Sequence, residues 1–160
     1  MLRKQLLKDG PLPSSRRSAE KDITAIATVL VTSEDPHHPI DNVFDGNGGK
    51  GASHWMAAVS GEQRVILAFD APQAIRGVHL EVEEKEVQRT QELSLSVSRD
   101  GGRTYDELLR QEYNFSPPQT TFEPEQWSVN AEGVTHLQLV VKPDKGGKAC
   151  RATLTSLAVQ

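Results

Sequence analysis

Residues 93–98 read Leu-Ser-Leu-Ser-Val-Ser, a strict alternation that suits an extended strand with one buried face. A helix would scatter these side chains around its axis, whereas a strand sets Leu93, Leu95 and Val97 on one side. Asp100-Gly101-Gly102 follows, a turn whose residues tolerate left-handed backbone, and Thr104 to Arg110 is expected to return as the second arm of a hairpin. The same two-residue period recurs along the chain. Ile23 to Val31, with four β-branched aliphatics and two threonines among nine residues, is expected to form the first strand. Gln63 to Phe69 should bury Val65, Leu67 and Phe69 and end at Pro72, and Ile75 to Val82 should bury Val78, Leu80 and Val82. Gln126 to Asn130, Thr135 to Lys142 and Ala152 to Val159 complete the set. Eight short strands without a long helical pattern predict an all-β fold, an eight-stranded antiparallel sandwich of two sheets.

The segments between these strands read as connections. Residues 33–41 hold two prolines and two histidines and must be a loop, after which Pro39 to Phe44 can turn helically and bring Ile40, Val43 and Phe44 inward. Gly46 to Gly51 spells Gly-x-Gly-x-x-Gly, but no buried strand feeds it and no amphipathic helix leaves it, so the context of a dinucleotide site is missing. Residues 111–124 carry three prolines and are expected to form one long loop.

One hundred and sixty residues accommodate a single core, here expected as a flexible tail over 1–22 and one domain over 23–160. The net charge of −4, with both signs interspersed, provides no cationic stripe for phosphates, so nucleic acid is not the expected partner. Cys150 is the only cysteine; it cannot form an internal disulfide and reads as a small buried apolar residue. Residues 1–9 are charged where a signal peptide carries its apolar core, and no apolar run approaches the roughly 18 residues of a membrane span. A cytoplasmic location is therefore expected, with secretion as the alternative for a segment of a longer protein.

Phe44-Asp45-Gly46, Ser53-x-Trp55, Ala68-Phe69-Asp70 and Ser98-x-Asp100-Gly101-Gly102-x-Thr104-Tyr105 occur in this order, and together they resemble the discoidin or coagulation-factor C-type domain, a galactose-binding-like jelly roll. The resemblance runs from about Ile23 to Gln160 and extends to bacterial carbohydrate-binding modules. It implies that the Trp and the Asp-Gly-Gly turn are structural and that ligands sit in loops at one end of the barrel. It also implies a calcium position at Asp45 and Ser53, completed by carbonyls of the 46–51 loop. Calcium takes six to eight oxygens, and the glutamate that relatives supply from the last strand is replaced here by Thr155-Ser156. That departure counts against calcium as a cofactor.

A sugar site needs an aromatic face together with side chains that hydrogen-bond hydroxyls. Phe44, Trp55, Phe69, Tyr105 and Trp127 fall where the fold buries side chains, which leaves Tyr113, Phe115 and Phe122, joined by Arg89 and His54, as candidate ligand contacts. His37, His38 and His54 match no metal-ligand spacing, and Glu81, Glu83, Glu84 and Glu86 read as a solvated acidic rim. No nucleophile has a base beside it, and no two carboxylates are placed across a cleft. The expectation is a non-enzymatic module that binds carbohydrate. A protein-interaction module is the alternative, followed by a binder of nucleic-acid ends.

Overall fold

The computed structural model describes residues 20–160, so most of the expected tail over 1–22 lies outside the described residues. At Lys21 the chain is already held, its N–H donating to the Val159 carbonyl at 2.7 Å. Ile23–Ile26 forms one helical turn rather than the start of a strand, corrected by local chemistry: the Ala25 N–H donates to the Asp22 carbonyl at 3.0 Å, and Ile23 is buried. The strands are β1 (Ala27–Val31), β2 (Trp55–Ser60), β3 (Gln63–Glu83), β4 (Arg89–Ser98), β5 (Asp106–Phe115), β6 (Phe122–Lys142), β7 (Arg151–Leu154) and β8 (Ser156–Val159). A 3-10 turn over Ile40–Phe44 buries Ile40 and Val43, as the sequence predicts.

Every strand pair is antiparallel, with sheet order β1-β3-β6-β4-β5, β8 beside β3, and β2 pairing β7 separately. β3 and β6 each run 21 residues, where the sequence predicted two short strands apiece. Their first contact zone pairs Gln63–Ala68 with His136–Val141 and lies beside β1 and β4; the second pairs Gly77–Glu83 with Phe122–Ser128 and lies beside β8. Register shifts separate the two zones, and across them the buried series changes phase from Val65, Leu67 and Phe69 to Val78, Leu80 and Val82. The irregularity lets two strands serve both layers of the sandwich. Pro72 sits in the irregular zone, so it bends β3 without ending it.

Two further corrections follow from turn chemistry. The expected long loop 111–124 is a continuation of β5 to Phe115, a tight turn in which the Ser116 N–H donates to the Thr120 carbonyl at 2.9 Å, and the start of β6. Pro117 and Pro118 occupy the turn, and Pro124 lies where β6 is an edge strand and needs no outward N–H. The expected strand Ala152 to Val159 divides at Thr155, whose N–H donates to the Glu81 carbonyl at 2.8 Å as the chain passes from β2 to β3. At the expected hairpin turn, Asp100 accepts from Ser98, Arg103 and Thr104, and these bonds hold its carboxyl well below the usual range. Trp55 is fully buried and its indole N–H donates to the Ser33 carbonyl at 3.0 Å, tying the 33–38 loop to the core. Cys150 is buried. Among the described residues no helix is long and apolar enough to cross a membrane.

Candidate functional site

Three connections meet at the end of the sandwich where β3 stops. The Glu84 N–H donates to the Thr121 carbonyl at 2.7 Å, and the Gly51 N–H donates to the Glu83 carboxylate at 3.0 Å, drawing the 116–121 turn, the 84–88 loop and the glycine loop together. Beside the glycine loop and the 84–88 loop lies a cleft of about 340 Å³, lined by His38, His54, Met56, Glu83, Glu84 and Thr153. Lys85 and Glu86 stand exposed at its mouth.

The two imidazoles stack, with ring centroids 4.4 Å apart and planes 15° from parallel. Their positions come from backbone bonds on both sides. The Met56 N–H donates to the His38 carbonyl at 3.1 Å, and the Asn42 amide donates to the His54 carbonyl at 3.0 Å. Asp35 braces the same loop, accepting the His37 N–H and the Arg151 guanidinium; these bonds hold its carboxyl below the ordinary aspartate value. His38 therefore pairs with His54 and not with its sequence neighbour His37. A flat imidazole stack beside carboxylates and a hydroxyl offers one face for the apolar side of a sugar ring and acceptors for its hydroxyls.

Of the residues singled out from the sequence, His54 lines this cleft. Phe122 is half-buried and pairs with Glu83 in register, next to the acidic wall. Arg89, Tyr113 and Phe115 are 3 %, 3 % and 1 % exposed and face the interior, so the expectation that they touch ligand is corrected by burial. The Arg89 guanidinium donates to Glu84 at 2.7 Å, to Gln91 and the Pro143 carbonyl at 2.7 Å each, and to Thr153 at 3.2 Å, and it lies 5.2 Å from the centroid of the Phe115 ring. Two of these partners, Glu84 and Thr153, form the cleft wall. Arg89 thus stands one layer behind the surface on which the sequence reading placed it. Missed from the sequence were His38 as a partner of His54, Met56, and Thr153, whose positions depend on loops meeting across the fold.

The glycine loop is held by carboxylates. Glu81 accepts the Gly49 N–H at 2.8 Å and Glu83 accepts that of Gly51, so these residues are loop anchors instead of the solvated rim expected for them. His79 sits 3.2 Å from the second Glu81 oxygen, on the floor of a wider hollow of about 500 Å³ beside β8. Asp45 accepts the Ser53 hydroxyl at 2.5 Å with one oxygen and the Asn47 N–H at 2.8 Å with the other. Burial acts to raise the Asp45 pKa, but these bonds outweigh it and hold the carboxyl below its ordinary value. Both side chains of the calcium position are thus engaged within the loop. Among the described residues no three His, Cys, Asp or Glu side chains gather to hold a metal.

The family model of the F5/8 type C domain matches residues 22–152. Among solved structures the chain is similar to a pectin-binding carbohydrate-binding module, at 22% identity over 84% of this chain and 90% of that one, with a TM-score of 0.56. It is similar to the family 32 carbohydrate-binding module of Clostridium perfringens NanJ in complex with galactose, at 12% identity over 88% and 97% of the two chains, with a TM-score of 0.58. A further Clostridium perfringens module, in complex with GalNAc-β-1,3-galactose, aligns at 18% identity over 88% and 98%, also with a TM-score of 0.58. At these identities the likeness is one of fold. No curated protein matches the chain.

Proposed function

The chain belongs to the F5/8 type C domain family, and from that premise we propose that it is a non-catalytic module that binds carbohydrate in the cleft between the His38–His54 stack and the Glu83–Glu84 wall. The observation that carries this reading is the stack itself, two rings held 4.4 Å apart by loops anchored on both sides, in one cleft with hydrogen-bond acceptors. A rigid flat face costs little entropy to present, and a sugar ring covers it with its C–H groups while its hydroxyls reach Glu84 and Thr153. Met56 contributes a polarizable apolar contact between them. Similar folds occur in complex with galactose and with a GalNAc-containing disaccharide, which makes neutral galacto-configured sugars the first ligands to try.

Calorimetric titration with galactose, GalNAc, GalNAc-β-1,3-galactose and galacturonate tests the reading. Binding of at least one saccharide is expected, weakened about tenfold or more in His38→Ala and in His54→Ala, with both variants melting within a few degrees of the parent protein. No heat with any saccharide, or binding that both variants retain in full, rejects the cleft as a glycan site and favours the protein-interaction reading.

A further inference from the structure

Where β8 borders it, β3 carries polar side chains that the cleft does not use. His79 and Glu81 alternate with the fully buried Val78, Leu80 and Val82, so they turn away from the core, and Ala158 and Ser156 stand beside them in register on β8. These four line the hollow of about 500 Å³, together with Phe44 from the 3-10 turn, Asn47 and Gly48 from the glycine loop, and the 20–24 segment. Bonds within the protein hold this lining in place. Glu81 accepts the Gly49 N–H at 2.8 Å, and a Cβ on Gly48 would come within 2.8 Å of the same carboxylate, so the loop rests against the strand. In the 20–24 segment the Lys21 N–H donates to the Val159 carbonyl at 2.7 Å, and the Thr24 hydroxyl donates to Asp22 at 2.7 Å.

The hollow keeps hydrogen-bonding capacity in reserve. Ser156 is half-buried, and among the described residues its hydroxyl has no hydrogen-bond partner. The Glu81 side chain is 15 % exposed; one of its oxygens meets the Gly49 N–H and the other lies 3.2 Å from His79. A carboxylate accepts about four bonds, so Glu81 retains acceptor sites. Phe44 packs against the core yet stays half-buried, which leaves part of its ring at the hollow. The charge of the lining is acidic: Glu20, Asp22 and Glu81 contribute carboxylates, and the one lysine, Lys21, donates its ammonium to Gln73 at 3.2 Å.

We propose that this hollow is a second saccharide site, taking a neutral sugar ring, with the Ser156 hydroxyl and the Glu81 carboxylate meeting ring hydroxyls and Phe44 meeting the C–H side of the ring. A sugar hydroxyl donates and accepts at once, so one can donate to Glu81 while its neighbour accepts from Ser156, and the volume falls within the range of small-ligand pockets. A uronate brings its own carboxylate against Glu20, Asp22 and Glu81, and like charges placed together select against it. The site stands on its own residues and does not rest on the His38–His54 cleft being a glycan site. The glycine loop lines both, through residues 46–48 here and 51–52 in the cleft.

Amide-correlation NMR of the full chain reads the two sites separately, because the amides of 46–48, 79–81 and 156–158 report the hollow and those of 52–56 and 83–86 the cleft. Glucose, galactose and N-acetylglucosamine at tens of millimolar are the neutral probes, and galacturonate is the charged one. At least one neutral sugar is expected to shift the hollow amides while galacturonate leaves them in place, and the shifts are expected to survive in a variant carrying both His38→Ala and His54→Ala. Ser156→Ala, which removes one hydroxyl, should weaken that response about three- to tenfold. No shift of the hollow amides with any neutral sugar, an equal response to galacturonate, loss of the response in the double variant, or an undiminished response in Ser156→Ala would each overturn the proposal. Shifts confined to the cleft amides reject this site alone, and shifts confined to the hollow amides reject the cleft alone. The comparison of neutral and charged sugars needs no variant and so does not depend on one folding.

Discussion

At Arg89 one guanidinium has no exposed side-chain surface and spends its donors on Glu84, Gln91, Pro143 and Thr153. It braces the cleft wall, since its partners Glu84 and Thr153 line the cleft while Arg89 does not. Arg89→Ala leaves Glu84 unpaired and three neutral acceptors empty, and is expected to lower stability by about 3–5 kcal/mol, measured by urea unfolding. A variant that unfolds at the parent's midpoint yet loses saccharide binding would return Arg89 to the list of direct contacts. The residue type and its nearness to the loop end were legible in the chain; its depth was not, because a strand residue's burial depends on which layer covers it. The same holds for His38, whose ring could be paired with His37 or His54 until loop closure brought β2 beside the 33–38 segment.

The glycine loop shows what an element adds. Its backbone N–H groups at Gly49 and Gly51 meet Glu81 and Glu83 from β3, and a Cβ placed on Gly48 would come within 2.8 Å of the Glu81 carboxylate. The loop is closed by fixed carboxylates, with Asp45 and Ser53 bonded to each other. We therefore expect the melting temperature to be the same in excess calcium and in EDTA, because a cation that bound only the native state would raise it. Glu81→Ala should destabilise by about 1.5–3 kcal/mol through loss of a charge-assisted bond, independent of calcium. A calcium-dependent rise that Asp45→Ala abolishes would instead give the metal the structural role.

Across the whole molecule, the last strand completes the second layer. β8 pairs with β3 from Val78 to Glu81, buries Leu157 and Val159, and the Gln160 N–H and carbonyl bond to the backbone of Gly77 and Arg76. Removing residues 156–160 takes away the burial of two aliphatic side chains, about 3–6 kcal/mol together, and strips one side of β3 of its partner. Against a usual stability of about 5–15 kcal/mol, the truncated chain is expected to lose its cooperative thermal transition; an unchanged transition would show that the first layer holds the fold alone. The alternation of apolar residues determined which stretches extend and which side chains of 65–69, 78–82, 93–97 and 137–141 go inward, because that pattern is local and a strand offers only two faces. Asp100-Gly101-Gly102 marked a turn for equally local reasons, whereas the prolines of 111–124 suggested a long loop where the chain makes only a tight turn between two strands. Tertiary structure decided the rest: that β3 and β6 continue through their irregular zones, and that Thr155 divides one stretch between two sheets. Those outcomes turn on which layer a residue packs against and on loops separated widely in sequence closing on one another, and a two-residue period carries no information about either.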